Sequence, residues 1–361
     1  MAATVGPDDL AHLLVMTDKP RDVYYLVVGP AGVSKQQRVM QTLSADSLAL
    51  AFDDEGLLRA VIGDQHIVLR GDEWSAPEQG PPCERLVRAG RTLVCAYRMT
   101  GGKEGASWRA DWFLPVPLPV PVPYPVMNRQ LLLDCRTSSG WSTWAVLDPN
   151  ANHGVEKFAI AGDDTGTVQI LYRWSRYVLM GWDLRLAYAR ASPPVECGPL
   201  AAGEKPVAVV GHDLAIEGPF DIAADPRSGT SLGLGRGWSP GLSRAVVVSL
   251  VGQGDSIGTA SPFLEAKSLG LLDGGVQIAP AGHDRFHVLV NVVSSGTLGD
   301  ANAWYHLLYS NGAWSAPLEV GRGAWGRPVQ LVSGGGSTRA LAVWSNADPP
   351  HIKSRWVELT Q

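Results

Sequence analysis

The chain has 361 residues, 45% of them hydrophobic and 18% charged, with 41 Gly, 26 Pro, 13 Trp and a formal net charge of −5. The apolar content and small net charge exclude an intrinsically disordered chain, and so much Gly and Pro excludes a coiled coil or helical repeat. The glycines keep no period of three, which excludes collagen, and what remains is an all-β globular protein long enough for a large core.

The slightly acidic balance lacks the basic face that a nucleic-acid binder needs to release phosphate counterions. No run of five or more Lys/Arg offers a patch for an anionic membrane. Between Met1 and Met16 the apolar residues are interrupted by Asp8, Asp9 and His12, so the basic n-region and continuous h-region of a signal peptide are missing. No apolar segment approaches the roughly 18–20 residues of a membrane span. Cys83, Cys95, Cys135 and Cys197 show neither CxxC nor zinc-type spacing, and Cys95, inside the apolar run Thr92–Tyr97, reads as a buried free thiol. With no Asn-x-Ser/Thr acceptor either, the expectation is a cytoplasmic protein, or a secreted one if a signal peptide has been removed.

In chain order, equivalent strands are expected to start near Leu10, Leu48, Leu93, Phe158, Phe220, Phe286 and Ala340. Each is followed by a polar turn, a second apolar run and a Gly/Trp/Ser/Pro phrase. The clearest copies are Ser47–Gly56, Leu57–Ile62 and Arg70-Gly-Asp-Glu-Trp-Ser-Ala-Pro77, and then Arg285–Asn291, Ala303–Tyr309 and Ser310-Asn-Gly-Ala-Trp-Ser-Ala-Pro317. Weaker echoes are Gly140-Trp-Ser142 and Gly237-Trp-Ser-Pro240. Asp54-Glu-Gly56, Asp164-Thr-Gly166 and Asn311-Gly312 supply the residues that hairpins need at positive φ. Seven starts, several tens of residues apart, suit one four-stranded sheet per repeat. Radial repetition of such sheets leaves only short edges, which is the β-propeller solution. Seven blades are expected, six being the alternative because the modules after Phe158 are long. The last repeat, Arg339–Leu359, is short, so a strand around Leu10–Val15 or Tyr24–Val28 is expected to complete it. Residues 1–361 thus read as a single propeller whose ring is closed by its N- and C-terminal strands.

The Trp-Ser-Ala-Pro phrases after a Gly/Asn/Asp turn resemble the repeats of sialidase-superfamily propellers, and Ser310–Trp314 resembles a shortened Asp-box hairpin. The resemblance implies the scaffold. Hydrolases of that family use an arginine triad, a Tyr/Glu nucleophile pair and an Asp acid/base. This chain has no Arg-Ile-Pro-like opening motif, and those roles fall on no residues here.

The stretch 115–125 has proline at every odd position. It reads either as a polyproline helix for an SH3-like partner or, with more weight, as an edge strand or connector whose prolines blind one edge. Two Gly-x-Ser-x-Gly matches, around Ser231 and Ser256, lack the following helix of a nucleophile elbow. Asp53-Asp54 and Asp163-Asp164 read as hairpin turns, since no twelve-residue calcium loop follows them.

The histidines offer the candidate chemistry. His153, His212 and His283 each stand shortly before an expected inner strand, with Glu156, Asp213, Glu217 and Asp284 nearby. Connections at one rim of a propeller would bring these imidazoles to a common mouth, as ligands of a divalent metal or as His/acid proton-transfer pairs. A second candidate is Trp304-Tyr305-His306 with Tyr309, where one face of a strand packs between blades and the other is available to stack on a sugar. The functional expectation is a propeller that recognises a glycan, a small molecule or a protein at its loop-lined channel mouth. The alternative is a lyase, hydrolase or cyclase built on the same rim.

Overall fold

The computed structural model describes residues 1–17, 21–42, 47–100, 107–113, 116–122, 129–137, 140–147, 153–178, 181–191, 197, 220–239, 244–253, 256–257, 261–264, 275–292, 302–323, 330–334, 338–345 and 352–358. Every regular element among them is a β-strand, and seven antiparallel sheets stand radially around a central channel as a seven-bladed propeller. The innermost strands, in blade order, are Ala2–Val5, Leu48–Phe52, Arg85–Ala89, His153–Gly162, Phe220–Ala224, Val276–Gly282 and Gln330–Ser333. Each packs beside the next, and the first packs beside the last, so the ring is closed.

Leu93, Phe286 and Ala340 belong to second strands of their blades rather than innermost ones: Thr92–Thr100, Arg285–Val292 and Arg339–Ser345. The physical reason is that inner and second strands are both covered on two faces, so their apolar patterns look alike. Blade 1 is built wholly from residues 2–41. Leu10–Val15 and Tyr24–Val28 fall at or within its second and third strands, Ala11–Met16 and Asp22–Gly29. The described strands of blade 7 all come from residues 330–358. The join between the two is made by side chains, with Ala11, Leu13 and Val28 meeting Val332, Leu341 and Val343. Full burial of each such Val or Leu is worth about 1.5–3 kcal/mol, and among the described residues no strand is shared between the two blades.

The repeated Trp-Ser-Ala-Pro phrase is a device of the outermost strand. In blade 2 the fourth strand is split into Glu73–Trp74 and Glu78–Gln79, both pairing with Gln65–Arg70. Ser75 bridges the break: its N–H donates to the Val68 carbonyl at 2.8 Å, and its Oγ accepts the Val68 N–H at 3.1 Å. Ser315 does the same for Leu308 in blade 6, at 2.8 and 2.9 Å. Trp74 meets Tyr25 of blade 1 edge-on at 5.3 Å, which covers the seam between the two blades.

The proline-alternating strand Val116–Val122 pairs with Ser107–Phe113 as a separate two-stranded sheet between the second and third strands of blade 3. Phe113, Asp111, Arg109 and Ser107 oppose Val116, Leu118, Val120 and Val122, while the prolines oppose Trp112, Ala110 and Trp108. Successive residues of an antiparallel strand direct their N–H groups to opposite edges, so prolines at every second position strip donors from one edge only.

All four cysteines are paired, as Cys83–Cys95 and Cys135–Cys197, with Cα–Cα distances of 5.4 and 5.7 Å. This corrects the reading of Cys95 as a free thiol. The partner lies 12 residues upstream in a loop whose approach to the strand is set by the folded blade and not by any motif spacing. The second bond spans 62 residues and ties the third strand of blade 3 to the chain beyond the third strand of blade 4. Loop-closure entropy assigns these bonds about 3 and 4 kcal/mol. Gly162, at the end of the blade 4 inner strand, lies against the Arg88 carbonyl of blade 3, where a Cβ would collide with backbone.

Between blades 6 and 7 lies a buried imidazole pair, His287 Nδ1 and His306 Nε2 at 2.9 Å, beside Leu289 and Trp304. Burial lowers His306 to about 4, and it also lowers His12 and His66.

Reductant, or Ser in place of both cysteines of a pair, is expected to lower the melting temperature, with the larger loss for Cys135/Cys197; calorimetry with and without dithiothreitol checks this. Gly162→Ala is expected to cost about 1–3 kcal/mol by overpacking, read by urea unfolding. A histidine depressed from 6.5 to about 4 on folding stabilises fully above its unfolded value and loses that stabilisation as pH falls towards 4. His306 alone then predicts about 2 kcal/mol lower stability at pH 5 than at pH 7, with His12 and His66 adding in the same direction. Urea unfolding across this range, repeated on His306→Gln, measures the difference.

Candidate functional site at the channel mouth

The inner strands run in one direction, which is read from the contacts between their ends. The Gly90 N–H donates to the Asp163 carbonyl at 2.7 Å, and the Asp164 N–H to the Pro226 carbonyl at 2.8 Å. The Asp284 N–H donates to Asp225 Oδ2 at 3.0 Å, and the Ser333 hydroxyl donates to the Pro280 carbonyl. The turns that leave blades 3, 4, 5 and 6 therefore sit together at one rim of the channel.

Three of the first turns are built on the same plan. Asp53, Asp163 and Asp225 end the first strands of blades 2, 4 and 5, with side chains turned inward and exposures of 4%, 2% and 1%. Their Oδ1 atoms accept turn N–H groups: Leu57 at 2.8 Å, Thr167 at 2.9 Å, and both Arg227 at 2.9 Å and Ser228 at 3.1 Å. These are Asx-type locks that replace backbone partners lost at the turn. Asp53 also binds the Arg59 Nε at 2.6 Å. Burial alone would raise the Asp225 carboxyl, but the N–H groups of Ser228, Asp284 and Arg227 outweigh it and hold that group below the ordinary carboxylate range. Such a residue is structural, and in blades 2 and 4 the exposed carboxylate at the turn belongs to the next residue, Asp54 or Asp164.

The rim opens into a cavity of about 550 Å³ lined by the inner strands of all seven blades. Ala51, Ala161, Ala223 and Ala279 keep it wide. Its ionisable lining, among the described residues, is Asp53, Asp54, Arg88 and Asp164. Arg88 Nη2 and Asp164 Oδ1 are 3.0 Å apart, and both side chains are about half exposed. On the far side of blade 2 the first turn of blade 1 is braced from within: His12 Nδ1 lies 2.6 Å from the Tyr25 hydroxyl, and His12 Nε2 lies 3.3 Å from Asp8 Oδ1. Burial pushes the Tyr25 phenol up to about 12, and so keeps it a donor. Gly6 has no room for a Cβ, which would meet His12 Nε2 at 2.7 Å. At the other end of the channel, burial pushes the Asp221 carboxyl up to about 6, although it accepts the Ile278 N–H at 2.8 Å.

The expected histidine constellation is distributed differently. His153 is the first residue of the blade 4 inner strand, whereas His283 occupies the turn after the blade 6 inner strand, at φ 53° beside Asp284 at φ 57°. The two stand at opposite ends of their strands, so they do not share a rim and do not join in a metal site. Two consecutive positive-φ residues make a tight hairpin, and that geometry accounts for His-Asp here. Among the described residues no group of three His, Cys, Asp or Glu gathers as a metal site. His212, Asp213 and Glu217 lie outside the described residues. Asp284 accepts the Ser228 hydroxyl at 2.5 Å, and Glu156 pairs with Arg173 at 2.6 Å; both tie structure together. Trp304 and His306 are buried in the seam towards blade 7 and Tyr305 packs on the opposite face, so none lines the cavity. Packing between blades claims them as core. Ser231 is buried at the start of a strand, with no helix after it among the described residues. Of the mouth residues, Asp54 and Asp164 carried only a turn signal in the sequence, and Arg88, inside the strand Arg85–Ala89, carried none.

No family model matches this sequence, and no curated protein matches it. Among solved structures the chain is similar to a polysaccharide lyase of family PL25, an ulvan lyase bound to -[GlcA(1-4)Rha3S]-, with a TM-score of 0.57 and 8% identity over 98% of this chain and 91% of that one. It is also similar to a puromycin-hydrolyzing peptidase of Mycobacterium tuberculosis, with a TM-score of 0.51 and 12% identity over 99% of this chain and 53% of that one. An α-L-arabinanase of Penicillium chrysogenum, complexed with arabinobiose, aligns over 99% of this chain and 92% of its own at 10% identity, with a TM-score of 0.47. At such identities the likeness is one of fold, and the fold is the seven-bladed β-propeller.

Proposed function

We propose that this protein recognises a carbohydrate at the mouth of the channel, on the rim where the inner strands end. The observation that carries the reading is the cavity of about 550 Å³ with the Arg88–Asp164 pair at its edge. Its size suits a short saccharide, since ligand pockets commonly span about 300–1,000 Å³. A guanidinium donor beside a carboxylate acceptor matches two neighbouring sugar hydroxyls, one accepting and one donating. Small lining side chains leave wall space for the pyranose faces. The ulvan lyase likeness adds that a propeller of this kind is compatible with a glycan ligand.

Titration calorimetry with neutral di- and trisaccharides tests the proposal. Arg88→Ala and Asp164→Ala are each expected to weaken binding about tenfold, or about 1.4 kcal/mol. Arg85→Ala, at the start of the same inner strand and so at the other end of the channel, is expected to leave it unchanged. Equal binding by all three variants would place the site elsewhere.

A further inference from the structure

We infer that two copies of this chain pair through the strand Ser107–Phe113, edge to edge about a two-fold axis. This does not depend on the carbohydrate reading. The strand Thr92–Thr100 follows the mouth turn at Gly90, so it ends at the opposite rim, and there the insert begins. The chain spends as many residues from Thr100 to Ser107 as from Val122 to Arg129, so the ladder of the insert keeps the register of the blade ladder before it. The insert is thus a two-stranded ribbon that prolongs the central hairpin of blade 3 beyond the rim. Among the described residues it is a sheet of its own, and neither outer edge has a ladder partner. A ribbon of two strands is marginal in water, and added strands stabilise it.

The two edges of the ribbon differ. Proline has no N–H, so the hydrogen-bonded pairs within it are those of Val116, Leu118, Val120 and Val122 with Phe113, Asp111, Arg109 and Ser107. The outer edge of Val116–Val122 is left to Pro117, Pro119 and Pro121, which offer carbonyls alone. On the outer edge of Ser107–Phe113, Trp108, Ala110 and Trp112 each offer an N–H and a carbonyl. One edge can accept a strand and the other cannot, so a second copy added there leaves proline on both outer edges and growth stops. The charges favour a second copy as the occupant. In an antiparallel pairing centred on Ala110, that residue stands opposite the partner's Ala110, Trp108 opposite the partner's Trp112, and Arg109 opposite the partner's Asp111. Trp108, Ala110 and Trp112 then take the hydrogen-bonded positions, as their outward groups require. Arg109 and Asp111 take the closer positions, where facing Cα atoms are about 4.5 Å apart, and the axis makes their opposite-charge pair twice.

Sedimentation equilibrium of the full chain is expected to show a dimer in reversible exchange with the monomer. Arg109→Asp and Asp111→Arg each set like charges opposite one another, and each is expected to weaken the dimer about tenfold or more. Mixed in equal amounts, the two variants are expected to regain the wild-type affinity as a heterodimer, because every facing pair is again opposite in sign. Ala110→Cys, a small change that spares the ladder within the ribbon, is expected to give a disulfide-linked dimer on mild oxidation, since facing Cα atoms there are about 5.5 Å apart. A wild-type monomer at every concentration would overturn the pairing and leave the open edge to a different strand. A dimer indifferent to both charge reversals, or an Ala110→Cys protein that does not cross-link, would place the interface elsewhere and overturn it as well.

Discussion

Closing seven short strands into a ring forces the first turn of every blade onto one rim, and the rest of the molecule answers that crowding. Turns this close have little room and lose backbone partners. Gly162 gives up its side chain to the Arg88 carbonyl, and Asp53, Asp163 and Asp225 give up their solvent exposure to satisfy turn N–H groups. A chain of hydrogen bonds then passes from blade to blade along the rim, through Gly90, Asp164, Asp284 and Ser333. The cavity is the space these turns surround, so its shape is inherited from the same constraint.

The seams divide the remaining labour. The join between blades 7 and 1 is apolar, while the seam between blades 6 and 7 also buries the His287–His306 pair and that between blades 3 and 4 is crossed by Arg98, whose guanidinium donates to the Glu156 carbonyl. An apolar join tolerates small shifts because dispersion and hydrophobic contact are not directional. A buried polar contact sets one relative position, because leaving either partner unsatisfied is costly.

Much of this architecture was legible in the sequence. Gly and Pro excluded helices, the Trp-Ser-Ala-Pro phrase marked the outermost strands, and Asp-Asp-x-Gly marked the turns. The inner strand of each blade was harder to identify, because Val94 in a second strand and Val87 in a first strand follow the same alternation. Cysteine pairing was hidden for a related reason: Cys83, in a loop, and Cys95, in a strand, are brought together by the folding of the blade, which no local motif encodes. His153 and His283 looked equivalent because each precedes an apolar run. Whether a residue stands before the first strand or between the first and second decides which end of the channel it occupies, and periodicity is blind to that difference. Asp54 and Arg88 became visible only once the turns had been gathered around a common axis.

The two ends of the channel are consequently unlike. The strand Thr92–Thr100 leaves the mouth at Thr92 and reaches the opposite rim at Thr100, so the inserted pair Ser107–Phe113 and Val116–Val122 departs from that far side. Val94 and Cys135 remain directly paired as though the insertion were absent. Growth of the chain has been admitted where it leaves the tight turns undisturbed. A polypeptide organised in this way has a front and a back: its hub resists alteration, and its periphery can accept new sequence without re-tuning the site.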